Sequence, residues 1–120
     1  MQKRILVVDD DEMNLKRTKV ILSKCYGVLL AESGEEALQI LEKEKVDLVL
    51  LDIDMPKMNG IETFEHIKNR QEEIPVIFLT ASGYENDVLS AINLGAVNYL
   101  KKPFFPQELL KRVAKEFTKK

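Results

Sequence analysis

Five short apolar runs recur along the chain at residues 4–8, 28–31, 48–51, 76–79 and 97–100, and the segments around them have helical period. Those helical segments lie near 12–24, 34–44, 60–69, 84–94 and 106–118. Parallel strands cannot be joined by a tight turn, and a helix is the usual crossover between them. Strict alternation therefore predicts an α/β fold, a parallel sheet with helices on both faces. Runs one, three and four are nearly all Val, Ile and Leu, so they belong in the centre of the sheet, covered on both sides. The expected arrangement is a doubly wound five-stranded sheet of order 2-1-3-4-5. Local signals agree: Ser33 precedes Glu35 and Glu36 at a helix start, Gly95 follows the fourth helix as a left-handed cap, and Pro106 opens the last.

At 120 residues the chain has the length of one domain, read as 1–120, and 45% apolar with 32% charged residues is a globular balance. No stretch is long and apolar enough to cross a bilayer, and the apolar run after Arg4 is too short for a signal peptide core, so a cytoplasmic location without membrane insertion is expected. Cys25 is the only cysteine, which excludes an intrachain disulfide and a cysteine metal cluster. A net charge of −2 does not point to direct nucleic-acid binding. Lys111, Arg112, Lys115, Lys119 and Lys120 read as the solvated face and C-terminal end of the last helix.

In a doubly wound sheet, ligands bind beyond the carboxyl ends of the strands where the winding reverses, between strands one and three. Both of those strands end in aspartate. The first runs "ILVVDDDEMN" into Asp9 and Asp10, and the third runs "VDLVLLDIDMPKMNG" into Asp52. Topology brings these three carboxylates together, and they cannot all stay ionised without a counter-charge. An oxygen-only set with few protein ligands, leaving room for phosphate oxygens, favours Mg²⁺ over Ca²⁺. Asp11 and Glu12 read instead as N-cap and loop residues after the strand. Strand four delivers Thr80 to the same edge, with Ser82 on the following loop, and strand five delivers Lys101 and Lys102 ahead of Pro103. A carboxylate nucleophile, a metal, a hydroxyl and an ammonium form a set suited to phosphoryl transfer.

With Asp9-Asp10, Asp52 in "LLDIDMPKMNG", Thr80 in "LTAS", Tyr99 and Lys102-Pro103-Phe104 in order at strand ends, the chain resembles the receiver domains of two-component response regulators over essentially its whole length. The resemblance implies a flavodoxin-like receiver fold. It implies that Asp52 accepts a phosphoryl group from a histidine kinase or histidine phosphotransfer protein. Asp9, Asp10, Asp52 and the backbone carbonyl of Asp54 would hold Mg²⁺, with Mn²⁺ a workable substitute, while Thr80 and Lys102 would contact the phosphoryl oxygens. It implies a cis Lys102-Pro103 bond and a glycine, Gly60, in the turn after strand three. Thr80 and Tyr99 would act as the switch, altering a face spanning 84–118 that meets a downstream protein or linked output domain. Such a domain catalyses only its own phosphorylation and dephosphorylation and turns over no external substrate. Asn14 resembles receivers of hybrid kinases.

Two alternatives share parts of this pattern. The D-x-D of "LLDIDMP" is similar to the nucleophile motif of haloacid-dehalogenase-like phosphohydrolases, although Met55-Pro56 follows it and those enzymes need more chain. A flavodoxin-like binding module shares the architecture, but its first loop must welcome a phosphate, and "DDDEMN" would repel one. His66, mid-helix in "IETFEHIKNRQ", reads as a surface histidine.

Overall fold

In the computed structural model, which describes residues 2–55, 57–70, 73–80, 93 and 95–118, the apolar runs form five parallel strands. These are β1 (Arg4–Val8), β2 (Gly27–Ala31), β3 (Leu48–Asp52), β4 (Val76–Thr80) and β5 (Asn98–Lys101), ordered β2-β1-β3-β4-β5. Four described helices accompany them: α1 (Glu12–Leu22), α2 (Gly34–Lys43), α3 (Gly60–Arg70) and α4 (Pro106–Thr118). The helix expected over 84–94 lies almost wholly outside the described residues, as do Ser82, Lys119 and Lys120.

Side chains alternate across each strand, so a run that is apolar at every position must be covered twice. Leu6, Val8, Val49, Leu51 and Phe78 face a core shared with Ala37, Leu41, Phe64 and Ile67 of α2 and α3. Ile5, Val7, Leu48, Leu50, Ile77 and Leu79 face a second core closed by Leu15 and Leu22 of α1 and Leu109 and Val113 of α4. This is the doubly wound arrangement expected from the sequence, with β3 and β4 buried at every residue.

Polar side chains fix where the helices begin. Asp11 accepts the Met13 N–H at 2.9 Å and caps α1, as expected, while Glu12 lies in the first turn and pairs with Lys16 at 3.3 Å. Ser33 caps α2 through the Glu36 N–H at 3.1 Å. At α3, Asn59 accepts from the Glu62 N–H at 2.9 Å and its own N–H donates to the Glu62 carboxylate at 3.2 Å, a reciprocal capping box.

Several boundaries differ from expectation by a residue or two, and two of these matter for the site or for Cys25. α1 stops at Leu22 because the Ser23 N–H and hydroxyl both donate to the Lys19 carbonyl, at 2.8 and 2.6 Å, which closes the last turn. Cys25 therefore sits exposed in the turn that follows. β5 lies one residue later than expected and ends at Lys101 opposite Thr80, which carries the strand fully to the site edge.

Gly60 starts α3 against the end of β3. A Cβ there would collide with the Asp52 carbonyl oxygen and stand 2.7 Å from the Ile53 Cα. The first turn of α3 therefore rests directly on the backbone that carries Asp52, and the Gly60 N–H donates to the Ile53 carbonyl at 2.9 Å. Gly60→Ala should lower stability by about 2 kcal/mol, because backbone rather than a movable side chain must yield. Chemical denaturation measures this, and an unchanged midpoint would mean that the β3–α3 contact is compliant.

Candidate functional site

The parallel register decides which residues meet at the carboxyl edge. Val8 pairs with Leu51, so Asp9 emerges beside Asp52; Asp52 pairs with Leu79, and Thr80 with Lys101. Ladder hydrogen bonds continue past the strand ends and hold these positions. The Asp9 N–H donates to the Ala31 carbonyl at 3.1 Å, the Ile53 N–H to Leu79 at 3.1 Å, and the Lys102 N–H to Thr80 at 2.8 Å.

Carboxylate oxygens of Asp9, Asp10 and Asp52 lie within 4.8 Å of one another. Asp9 and Asp52 are buried and Asp10 is exposed. Lys102 supplies the counter-charge: its Nζ lies 3.0 Å from Asp9 Oδ2 and 3.2 Å from Asp52 Oδ1. Backbone donors complete the two buried acids. The Asp11 N–H donates to Asp9 Oδ1 at 3.0 Å, and the Asp54 N–H to Asp52 Oδ1 at 3.2 Å. Thr80 is buried at the end of β4, and the Lys102-Pro103 bond is cis.

Among the described residues, one ammonium faces three carboxylates, which leaves the cluster short of positive charge. Burial, reinforced by the Asp9 carboxylate and opposed by Lys102, pushes Asp52 from 3.8 up to about 7. Burial and the Asp9 charge also raise Asp10. Burial alone would lower Lys102, but Asp52 and Asp9 more than offset it and raise its pKa. Donors that are all oxygen, close together and incompletely neutralised fit a hard divalent cation.

The structure thus brings together Asp9, Asp10, Asp52 and Lys102, and places buried Thr80 on the same edge. Lys102 turns to the site whereas Lys101 is exposed. Asp54 contributes its N–H to Asp52 and is otherwise exposed, and His66 is exposed on α3. Tyr99, 42% exposed, stands apart on β5. Its backbone is tied to α4, because Arg112 donates to the Tyr99 carbonyl at 2.7 Å and to Asn98 Oδ1 at 2.8 Å. That bridge was not expected, since Arg112 reads in sequence as part of a solvated face. Nor were Arg17 and Thr18, which line a cavity beside Asp9 and Lys102; they belong to no motif.

Sheet order and an acidic switch point put the chain in the class of doubly wound α/β domains that carry a carboxylate cluster at the strand ends. Residues 5–114 match the response regulator receiver domain, and the chain belongs to that family. It is 41% identical over 114 residues to the alkaline phosphatase synthesis transcriptional regulatory protein PhoP of Bacillus subtilis, covering 94% of this chain and 48% of that protein. Identity to the transcriptional regulatory protein CpxR of Escherichia coli is 41% over 113 residues, with 94% and 48% covered. The chain spans about half the length of these relatives. Among solved structures, it is similar to a CheY-like receiver domain protein from Methanospirillum hungatei, with a TM-score of 0.92, 34% identity, and 97% and 94% of the two chains covered. The BeF3-activated receiver domain of DrrB, a Thermotoga maritima protein, gives a TM-score of 0.90 at 34% identity, with 99% and 100% covered. These matches favour neither a dehalogenase-like phosphohydrolase nor a flavodoxin-like binding module.

The raised carboxyl has a consequence for stability. Between pH 3.8 and about 7 the folded, metal-free chain keeps a proton on Asp52 that the unfolded chain has lost. The stability tied to that proton is present below about pH 4 and disappears as pH rises through 7. Asp52→Asn should therefore match wild type near pH 4 and exceed it by about 2 kcal/mol at pH 8 without metal, after allowance for solvent at the rim. Urea melts across that range test it. A gap that does not grow with pH would mean that Lys102 neutralises Asp52 fully.

Proposed function

We propose that Asp52 is the phosphoacceptor of a signalling switch, loaded by a histidine kinase or histidine phosphotransfer protein with Mg²⁺ or Mn²⁺ bound. The supporting observation is Lys102 held between Asp9 and Asp52, at 3.0 and 3.2 Å, at the end of the central strand. Asp9, Asp10, Asp52 and the Asp54 carbonyl would be the metal ligands. The bound cation supplies charge neutralisation on the transferring oxygens. Asp52 provides the attacking oxygen, held by the Asp54 N–H, and its burial excludes most competing water. Lys102 is placed to leave the carboxylate and take up the new phosphoryl oxygens, and Thr80 to donate its hydroxyl. Likeness to a receiver solved in a BeF3-activated form supports this reading.

A dianionic group on Asp52 creates new demand for donors at Thr80 and Lys102. β5 carries that demand outward, since it holds Tyr99 and runs directly into Lys102. Tyr99 would then turn inward and change the 84–118 face, of which β5 and α4 are described. The population shifts between two existing states, as for any ligand with differential affinity. Residues 1–120 act as one cytoplasmic domain that modifies only itself, and output passes through protein contacts. The relatives are transcriptional regulators, so the output governed by such a domain would be transcription, with DNA contacted by other parts of the protein.

Incubation with Mg²⁺ and a small phosphodonor should add one phosphoryl group, and Asp52→Asn should abolish it, read by intact mass. Equal labelling of the variant would refute the assignment. The exposed Asp54 side chain lies at the rim, where it can orient an attacking water. Asp54→Met should slow phosphate loss several-fold, a barrier change of about 1 kcal/mol. First-order decay of isolated phosphoprotein measures this, and decay as fast as wild type would exclude Asp54 from hydrolysis.

A further inference from the structure

Between Asp52 and the start of α3 the chain forms a loop whose two ends are tied to one carbonyl. The Ile53 oxygen accepts from the Met55 N–H at 3.2 Å and from the Gly60 N–H at 2.9 Å. Inside the loop lies Asp54, whose N–H donates to Asp52 Oδ1 at 3.2 Å. Its carbonyl belongs to the metal set proposed above. A carboxylate can rotate to meet an ion, but a backbone carbonyl turns only with its peptide plane. Its aim is therefore set by whatever fixes the loop.

Two methionines do so. Met55 is buried and Met58 half-buried, and both pack on the core beneath α2 and α3. Met58 reaches the first residue of α2: a Cβ on Gly34 would stand 3.0 Å from Met58 Sδ and 3.2 Å from its Cγ, and would collide with Thr63 Oγ1. Glycine at position 34 leaves a seat there that a larger residue would fill. Thr63, fully buried on α3, donates both its hydroxyl and its N–H to the Asn59 carbonyl, at 2.9 and 3.0 Å. Asn59, which follows Met58, is thus tied to the same wall.

Lys57, between the two methionines, has a φ of 64°. That is the left-handed region, which L side chains seldom adopt. Lys57 is exposed, so its own packing does not demand that conformation. Strain of this kind persists where the surroundings over-determine it, and the surroundings here are the seated methionines on either side. Resting on the reading of the Asp54 carbonyl as a metal ligand, we propose that Met58 is a positioning residue for the cation: seated against Gly34 and Thr63, it holds the left-handed turn at Lys57 and so fixes the loop that presents the Asp54 carbonyl. Affinity for Mg²⁺ then depends on α2, a helix that contributes no ligand.

Calorimetric titration of the full chain with Mg²⁺ tests this, with urea melts of the metal-free protein reporting the stability of each variant. Met58→Ala should raise the Mg²⁺ dissociation constant about tenfold, at the lower end of the losses caused by residues that orient metal ligands. The Mg²⁺ concentration giving half-maximal phosphorylation of Asp52 should rise by the same factor, with little change in the rate at saturating Mg²⁺. Replacements at Lys57 separate the turn from the side chain. Lys57→Gly adopts the left-handed turn without strain and should keep the affinity, whereas Lys57→Val, β-branched and averse to that region, should lose it as Met58→Ala does. Both alter an exposed position and leave the core intact. Unchanged Mg²⁺ affinity in Met58→Ala, whatever its stability, would make Met58 a packing residue only and overturn the inference, as would equal affinities in the two Lys57 variants. Failure of the underlying reading has another signature: wild type would bind no Mg²⁺, and the inference would fall with it.

Discussion

The site depends on one ammonium shared by two buried carboxylates. Lys102 touches Asp9 at 3.0 Å and Asp52 at 3.2 Å, and those acids come from two adjacent central strands. A carboxylate pair this close is repulsive without a cation between its members. Lys102 reduces that repulsion, but burial together with the Asp9 charge outweighs it, which is why Asp52 still sits near 7. A cluster neutralised completely would have little affinity for a cation. The shortage of positive charge costs stability and, in the function we propose, suits the site to a cation, a compromise expected where function and folding compete.

Such a compromise needs a frame that does not yield. The two cores supply it, one beneath α2 and α3 and the other beneath α1 and α4, with β1, β3 and β4 buried between them. Hydrogen bonds beyond the strand ends extend that rigidity to Asp9, Ile53 and Lys102. The Gly60 contact does the same from the α3 side, where absence of a side chain lets helix and strand backbones meet. Each acid is thus placed by main-chain geometry, and its charge is balanced afterwards by side chains.

The fold was legible because its signal is redundant: five apolar runs and helical segments with caps all describe the same sheet. Asp9, Asp10 and Asp52 were legible for a different reason, since strand order alone sends the ends of β1 and β3 to one point. Choosing Lys102 over Lys101 needed the family resemblance, because two adjacent lysines at a strand end carry no local distinction. The Asn59-x-x-Glu62 spacing carries a capping signal in the sequence itself. Gly60 was recognisable as a family position, but the reason for it lies in a contact with Asp52 that only the folded backbone displays. Thr18 and Arg17 read as ordinary helix residues. Their place beside Lys102 is set by how α1 packs on the sheet, which local pattern does not encode.

β5 connects the site to the surface by covalent means. Lys102 follows it directly, Thr80 pairs with Lys101 across the ladder, and Tyr99 lies two residues back with its carbonyl bound by Arg112 of α4. A shift of Thr80 or Lys102 toward a group on Asp52 therefore pulls on a short strand anchored to a helix at its other end. Contiguity alone is not coupling, which requires an element with two arrangements. In the switch we propose, Tyr99 is better placed to be that element than its neighbours in the strand. Its backbone is fixed at the carbonyl by Arg112 and at the N–H by Asn98, while the residue is 42% exposed. Leu100, by contrast, is buried in the core, where rotation would open a void. In the switch we propose, the backbone of β5 transmits and the Tyr99 ring responds, so that a charge change at the sheet edge reaches the 84–118 face without any rearrangement of the two cores.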